Sequence, residues 1–98
     1  MFKTLQILCL LGGFLGHQVA MAQNVSGSVT DSDGSPIPGV NVLIEGTSKG
    51  TVTDIDGKYA LTLGDNEDVI IFSFVGYVTQ RVEVGAQQVV NVTLQEDI

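Results

Sequence analysis

The sequence predicts an all-β sandwich behind an export leader, on three observations. Short apolar–polar alternations recur along the chain. Clusters of Asp, Gly, Ser and Pro separate them, and no stretch carries the i, i+3, i+4 apolar stripe of an amphipathic helix. About seven such runs follow one another at short, regular spacing, which is the pattern of a sandwich or barrel. With 98 residues, one domain is expected.

The leader comes first. Met1-Phe2-Lys3 supplies an early positive charge, Leu5 to Leu15 is almost wholly apolar, and Ala20-Met21-Ala22 presents small residues around a cleavage point. That order is the signature of a secretory signal peptide, residues 1–22, cut after Ala22. The apolar run, roughly 11 residues, falls short of the ~20 that a spanning helix needs. Cys9 lies inside that run after Ile7-Leu8, not after the small residues a lipidation site requires. Cys9 and His17 leave with the leader, so the exported chain has no disulfide and relies on its core.

The mature domain is expected over residues 23–94. Val25, Gly27 and Val29 alternate with Ser26, Ser28 and Thr30, and Asp31 to Pro36 is a turn. Val40, Val42 and Ile44 share a face, and Gly46 and Gly50 bracket a hairpin turn before Thr51-Val52-Thr53. Asp54 to Gly57 carries the Asp-Gly signal of tight hairpins. Tyr59, Leu61 and Leu63 share a face, and a polar loop runs from Gly64 to Asp68. Val69 to Val75 is apolar except for Ser73, as in a strand covered on both faces. Val78, Val82 and Val84 alternate with Thr79, Arg81 and Glu83. Val90, Val92 and Leu94 close the pattern, and residues 95–98 read as a tail or the start of a linker. Pro36 and Pro38 fall outside the runs, where proline is tolerated.

Charge narrows the partners. Losing Lys3 takes the formal charge from −7 to −8, with eleven acids facing Lys49, Lys58 and Arg81. Nucleic acid is excluded, because binding it requires clustered cations that displace counterions. Attraction to an anionic membrane surface is excluded for the same reason, and the mature domain is not expected to insert into a membrane.

Residues that could carry chemistry are sparse. Thr30 to Gly34 and Thr53 to Gly57 share the pattern T-D-x-D-G, which invites a calcium reading. Val40 and Leu63 stand where an EF-hand loop needs its glutamate, so both read as Asx-type turns. A nucleophile needs a base to activate it, and neither His nor Cys remains after cleavage. The Asp54/Asp56 pair sits on a short turn with little cleft. No catalytic, cofactor-binding or metal residue is therefore assigned, and no cofactor or enzymatic activity is expected. Asn24-Val25-Ser26 and Asn91-Val92-Thr93 match the glycosylation acceptor, but abut or lie within expected strands. Tyr59, Phe72, Phe74 and Tyr77 could stack on sugar; Phe72 and Phe74, two apart in the most apolar run, read better as core.

Several ordered motifs carry a resemblance. They are Gly34-Ser35-Pro36-Ile37-Pro38-Gly39-Val40-Asn41-Val42, then Gly46 to Thr51, Thr53 to Tyr59, Phe72-Ser73-Phe74-Val75-Gly76-Tyr77, and Val92-Thr93-Leu94. Together they resemble the carboxypeptidase regulatory-like domain. More narrowly, they look like its version at the N-terminus of SusC/RagA-type TonB-linked outer-membrane receptors of the Bacteroidetes. The resemblance spans nearly all of Val25 to Leu94. It implies a seven-stranded transthyretin-like (prealbumin-like) β-sandwich on the periplasmic side of the outer membrane, ahead of a plug and barrel. Such receptors import glycans or other nutrients with energy from the TonB system. The plug and barrel of that family would follow where this chain stops, so transport is not expected of these residues.

The expected role is thus a non-enzymatic accessory domain of such a receptor. It would act through contacts with receptor components, with strand addition at a sheet edge as one route. One alternative is a free-standing exported module that binds carbohydrate or another surface component; no residue is singled out for a glycan. The other is a regulatory domain of a peptidase encoded elsewhere.

Overall fold

The computed structural model describes residues 22–98. All of the expected leader except Ala22 lies outside the described residues. Seven strands form, with no helix among the described residues: β1 (Gln23–Thr30), β2 (Asn41–Ile44), β3 (Gly50–Val52), β4 (Lys58–Leu63), β5 (Val69–Ser73), β6 (Gln80–Glu83) and β7 (Val92–Thr93). They make two sheets, ordered β4-β1-β7 and β3-β2-β5-β6. The expected seven-stranded sandwich is the fold.

Alternation explains the core. Successive residues of a strand point to opposite faces, so one apolar face per strand turns inward. Val25 and Val29 of β1, Tyr59 and Leu63 of β4, Val42 and Ile44 of β2, and Ile70 and Phe72 of β5 are all buried together. Val84, Val90, Val92 and Leu94 close the same cluster from the last third of the chain. Phe72 and Tyr59 meet edge to face, with ring centroids 5.3 Å apart at 73°, the geometry the ring quadrupoles favour.

β1 is the spine of the smaller sheet. It runs antiparallel to β4, from Gln23 opposite Leu63 to Ser28 opposite Lys58. On its other side it runs parallel to β7, with Val29 beside Val92. The Val90 N–H donates to the Ser26 carbonyl at 2.9 Å and the Leu94 N–H to the Thr30 carbonyl at 2.8 Å. Here a glycine is required: a Cβ added at Gly27 would lie 1.9 Å from the Val90 carbonyl oxygen.

Several strand limits differ from the sequence reading. The Val69–Val75 run ends as a strand at Ser73, and among the described residues only one of its faces is covered. Ile71 is half-buried, and Val75 is 87% exposed beside the Phe74–Tyr77 turn, where Gly76 takes φ +89°. Val78 stays outside β6 and is 50% exposed. Ile37, between two prolines, is buried because its N–H continues the pairing onto the Val29 carbonyl. Residues 95–98 lie along the Gly76–Val78 loop. The Val78 N–H donates to the Gln95 carbonyl at 2.8 Å and the Asp97 N–H to the Gly76 carbonyl at 3.0 Å.

Candidate functional site

Two buried polar groups are fully used by the fold. The Thr53 hydroxyl donates to the Ile37 carbonyl at 2.6 Å and accepts the Val40 N–H at 2.9 Å. The Tyr59 hydroxyl donates to the Val90 carbonyl at 2.6 Å. Burial pushes the Tyr59 phenol up to about 12, because the charged form would lose its hydration. Tyr59 and Phe72 therefore belong to the core. Phe74 and Tyr77 pack against its margin, their centroids 6.1 Å apart.

The twin T-D-x-D-G segments are the same turn built twice. Asp31 Oδ1 accepts the N–H groups of Asp33 at 2.9 Å and Ser35 at 3.0 Å. Asp54 Oδ1 accepts those of Asp56 and Lys58, both at 2.9 Å. Gly34 and Gly57 take φ of +83° and +74° and donate back to the Asp31 and Asp54 carbonyls. The first aspartate of each motif is thus an intramolecular acceptor. No cluster of three or more His, Cys, Asp or Glu side chains suited to a metal occurs among the described residues. Asn24 accepts from the Thr62 hydroxyl at 3.0 Å, and Asn91 accepts the Ser28 N–H at 3.0 Å, so both acceptor asparagines are tied to neighbouring strands.

What the structure leaves open is one apolar face and the outer edges of the two sheets, of which those of β3 and β4 lie near each other. On the outer face of the larger sheet, Leu43 (39% exposed), Val52 (56%) and the half-buried Ile71 line a shallow concavity of about 580 Å³. Gly50 sits beside Leu43 with no side chain to fill it. Further along that face, the Arg81 guanidinium forks onto Glu45 at 2.5 and 3.0 Å, and its hydrogen bond holds the Glu45 carboxyl below the usual range. The Lys49 ammonium bonds Glu67 at 2.8 Å and, with the Gly64 N–H, lowers that carboxyl too.

The edges follow from strand pairing. In an antiparallel ladder, alternate residues direct both backbone groups at the partner and the others direct theirs away. Ile44 N–H bonds the Lys49 carbonyl and Thr53 N–H bonds the Val40 carbonyl. Thr51, opposite Val42, therefore faces β2, and Gly50 and Val52 face outward. Val29 N–H bonds the Gly57 carbonyl, so Tyr59, Leu61 and Leu63 face β1, and Ala60 and Thr62 face outward. β3 and β4 leave the Asp54–Gly57 turn together and then part into different sheets. Both outward edges border one wedge of about 390 Å³, lined by Asn24, Gly50, Thr51, Ala60, Leu61 and Thr62. The sequence reading anticipated a sheet edge without saying which. The available signal was only that Gly50-Thr51-Val52 carries neither charge nor proline, which β1, β2, β5 and β7 share.

The family model described as CarboxypepD_reg-like domain matches residues 25–98. Among curated proteins, the chain is 41% identical over 99 residues to "TonB-dependent receptor SusC" of Bacteroides thetaiotaomicron, covering 99% of this chain. It is 38% identical to "TonB-dependent receptor P39" and 43% identical to "TonB-dependent receptor P3" of Formosa agariphila, covering 94% and 92% of this chain. The chain spans 9% of the length of each of these relatives. Among solved structures, a chain of a type II cohesin–X–dockerin complex from Acetivibrio cellulolyticus matches with TM-score 0.56 at 24% identity. That match covers 76% of this chain and 58% of the other, and it supports the fold alone.

Proposed function

Since the chain belongs to the CarboxypepD_reg-like domain family, we propose that it is a non-enzymatic accessory domain of a SusC-type TonB-dependent receptor, working through contacts with other receptor components. One observation carries the reading: nearly the whole chain aligns at 41% identity with a receptor of whose length it spans only 9%. The domain would thus be one module of a much longer nutrient-uptake protein or a close partner of one. The chain is exported by residues 1–22, cut after Ala22, and resides on the periplasmic side of the outer membrane. Two features fit a module that binds through surface, not chemistry. The Asp31 and Asp54 carboxylates are occupied by their own turns, and the apolar outer face stands open.

The test is made in the native envelope. An epitope tag at Ile98 should report a chain that fractionates with the outer membrane, resists external protease and becomes sensitive once that membrane is permeabilised. It should co-purify with TonB-linked receptor components, and mass spectrometry should find Gln23 as its first residue. Recovery in the medium free of receptor components would end this reading.

A further inference from the structure

The open wedge between β3 and β4 has the properties of a strand-docking site, and we infer that it takes an extended, cationic segment of another protein as an additional strand on β3. The inference rests on the protein-contact reading above and names its surface and the chemistry of its partner.

Three observations carry it. First, Gly50 and Val52 direct unpaired backbone groups away from β2, and Gly50 has no side chain to cover Leu43 next to it, so an added strand would gain main-chain bonds and could lay a side chain over Gly50 onto Leu43. Second, the room is there: the wedge of about 390 Å³ towards β4 borders the outward edge of β3. Third, the edges are guarded unequally. Natural sheets blunt their edges with charge, proline or bulges. On β6, the bond from Val84 N–H to the Asp68 carbonyl sets Arg81 and Glu83 as the outward residues, and both are charged. β3 carries no such guard.

Charge selects the occupant. Past the leader, eleven acids face three cations, and Lys49 and Arg81 are committed to Glu67 and Glu45. Edge-to-edge pairing of two copies would bring together two chains of charge −8, which like-charge repulsion opposes. A segment carrying Lys or Arg is drawn in by the same field.

The experiment uses the exported chain and a short, end-blocked peptide of alternating valine and lysine, with a valine–glutamate peptide of equal length as control. Amide hydrogen exchange is read residue by residue. The lysine peptide should slow exchange at Gly50 and Val52 by about tenfold or more, more weakly as salt rises, and the glutamate peptide should not. Val52→Pro deletes one outward donor and leaves the Thr51 and Thr53 bonds to β2 in place. Val52→Lys keeps the donor but sets a cation on the edge. Both should abolish protection, and the second keeps the test sound if the first fails to fold. Equal protection by the two peptides, protection centred on Arg81 and Glu83, or concentration-dependent self-pairing through β3 would each overturn the inference. A photo-crosslinking residue at position 52 or 89 in the native envelope separates it from the broader reading. Adducts to receptor components from 89 but not 52 sink the docking site alone; adducts from neither sink both.

Discussion

The Tyr59 hydroxyl reaches past β1 to the Val90 carbonyl at 2.6 Å, joining β4 to the segment that leads into β7 on the far side of the same sheet. Val90 is held from its other side by the Ser26 carbonyl. Tyr59→Phe keeps the ring and its contact with Phe72 but orphans a buried carbonyl. It should cost about 1–3 kcal/mol, measured as a lower urea midpoint at unchanged slope.

Gly27 faces that same carbonyl. A methyl group there would sit 1.9 Å from the Val90 oxygen, so Gly27→Ala must push β1 and the β7 segment apart. The expected loss is about 3 kcal/mol or more, with faster amide exchange at Val90 and Leu94. A change under about 1 kcal/mol would mean that the two strands are not packed this closely.

Thr53 holds two main-chain groups with one hydroxyl. Thr53→Val preserves shape and removes both bonds, leaving the Val40 N–H without its hydroxyl acceptor and the Ile37 carbonyl without its donor. The variant should lose about 2–4 kcal/mol, whereas Thr53→Ser should lose about 1 kcal/mol for the missing methyl.

The twin turns allow an internal control. Gly34 and Gly57 share a left-handed backbone, but open space surrounds Gly34 and the Val29 oxygen would lie 2.7 Å from a Cβ at Gly57. Gly34→Ala should cost about 1 kcal/mol, the strain of a left-handed residue with a Cβ. Gly57→Ala carries the same strain plus the clash and should cost at least about 1 kcal/mol more. Thermal unfolding of the two variants side by side decides it.

Stability should fall at both extremes of pH. Glu45 and Glu67 titrate below the usual carboxylate range when folded, so the unfolded chain takes up their protons first. Their contribution is complete above the ordinary carboxylate value and disappears as the pH drops through the lowered folded values. Tyr59 behaves oppositely. Its folded phenol is raised from 10.0 to about 12, so the unfolded chain loses that proton first. Stability should decline between those values by about 1.4 kcal/mol per unit at most. Urea midpoints across pH check both limbs, and tyrosinate absorbance of the folded chain should show a component with a midpoint near 12.

Much of this was legible in the residues, for a physical reason. Alternation is a local property, so Val25/Val29, Val42/Ile44 and Tyr59/Leu63 announce their inward faces without knowledge of the partner strand. The turn at Asp54 was likewise legible, because its bonds all lie within five residues of chain. Properties that depend on distant chain were not. Val69 to Val75 looks covered on both faces, and nothing local reveals that no layer of the described residues lies outside Ile71. Thr53 reads as one more β-branched residue until Ile37 and Val40 are folded against it. The open edges of β3 and β4 arise only because neighbouring strands join different sheets, which local pattern does not encode.

The parallel pairing of β1 with β7 has a mechanical consequence. Two strands pointing the same way mean that the polypeptide enters at one pole and departs from the other. Tension drawn between Gln23 and Leu94 must slide one strand lengthwise past its neighbour, so the cross-bonds resist as a lap joint does, all at once. An antiparallel pair gripped at one end would instead unzip bond by bond. The fold is thereby suited to standing in line with a load, yielding slowly because forced opening is limited by the unfolding barrier.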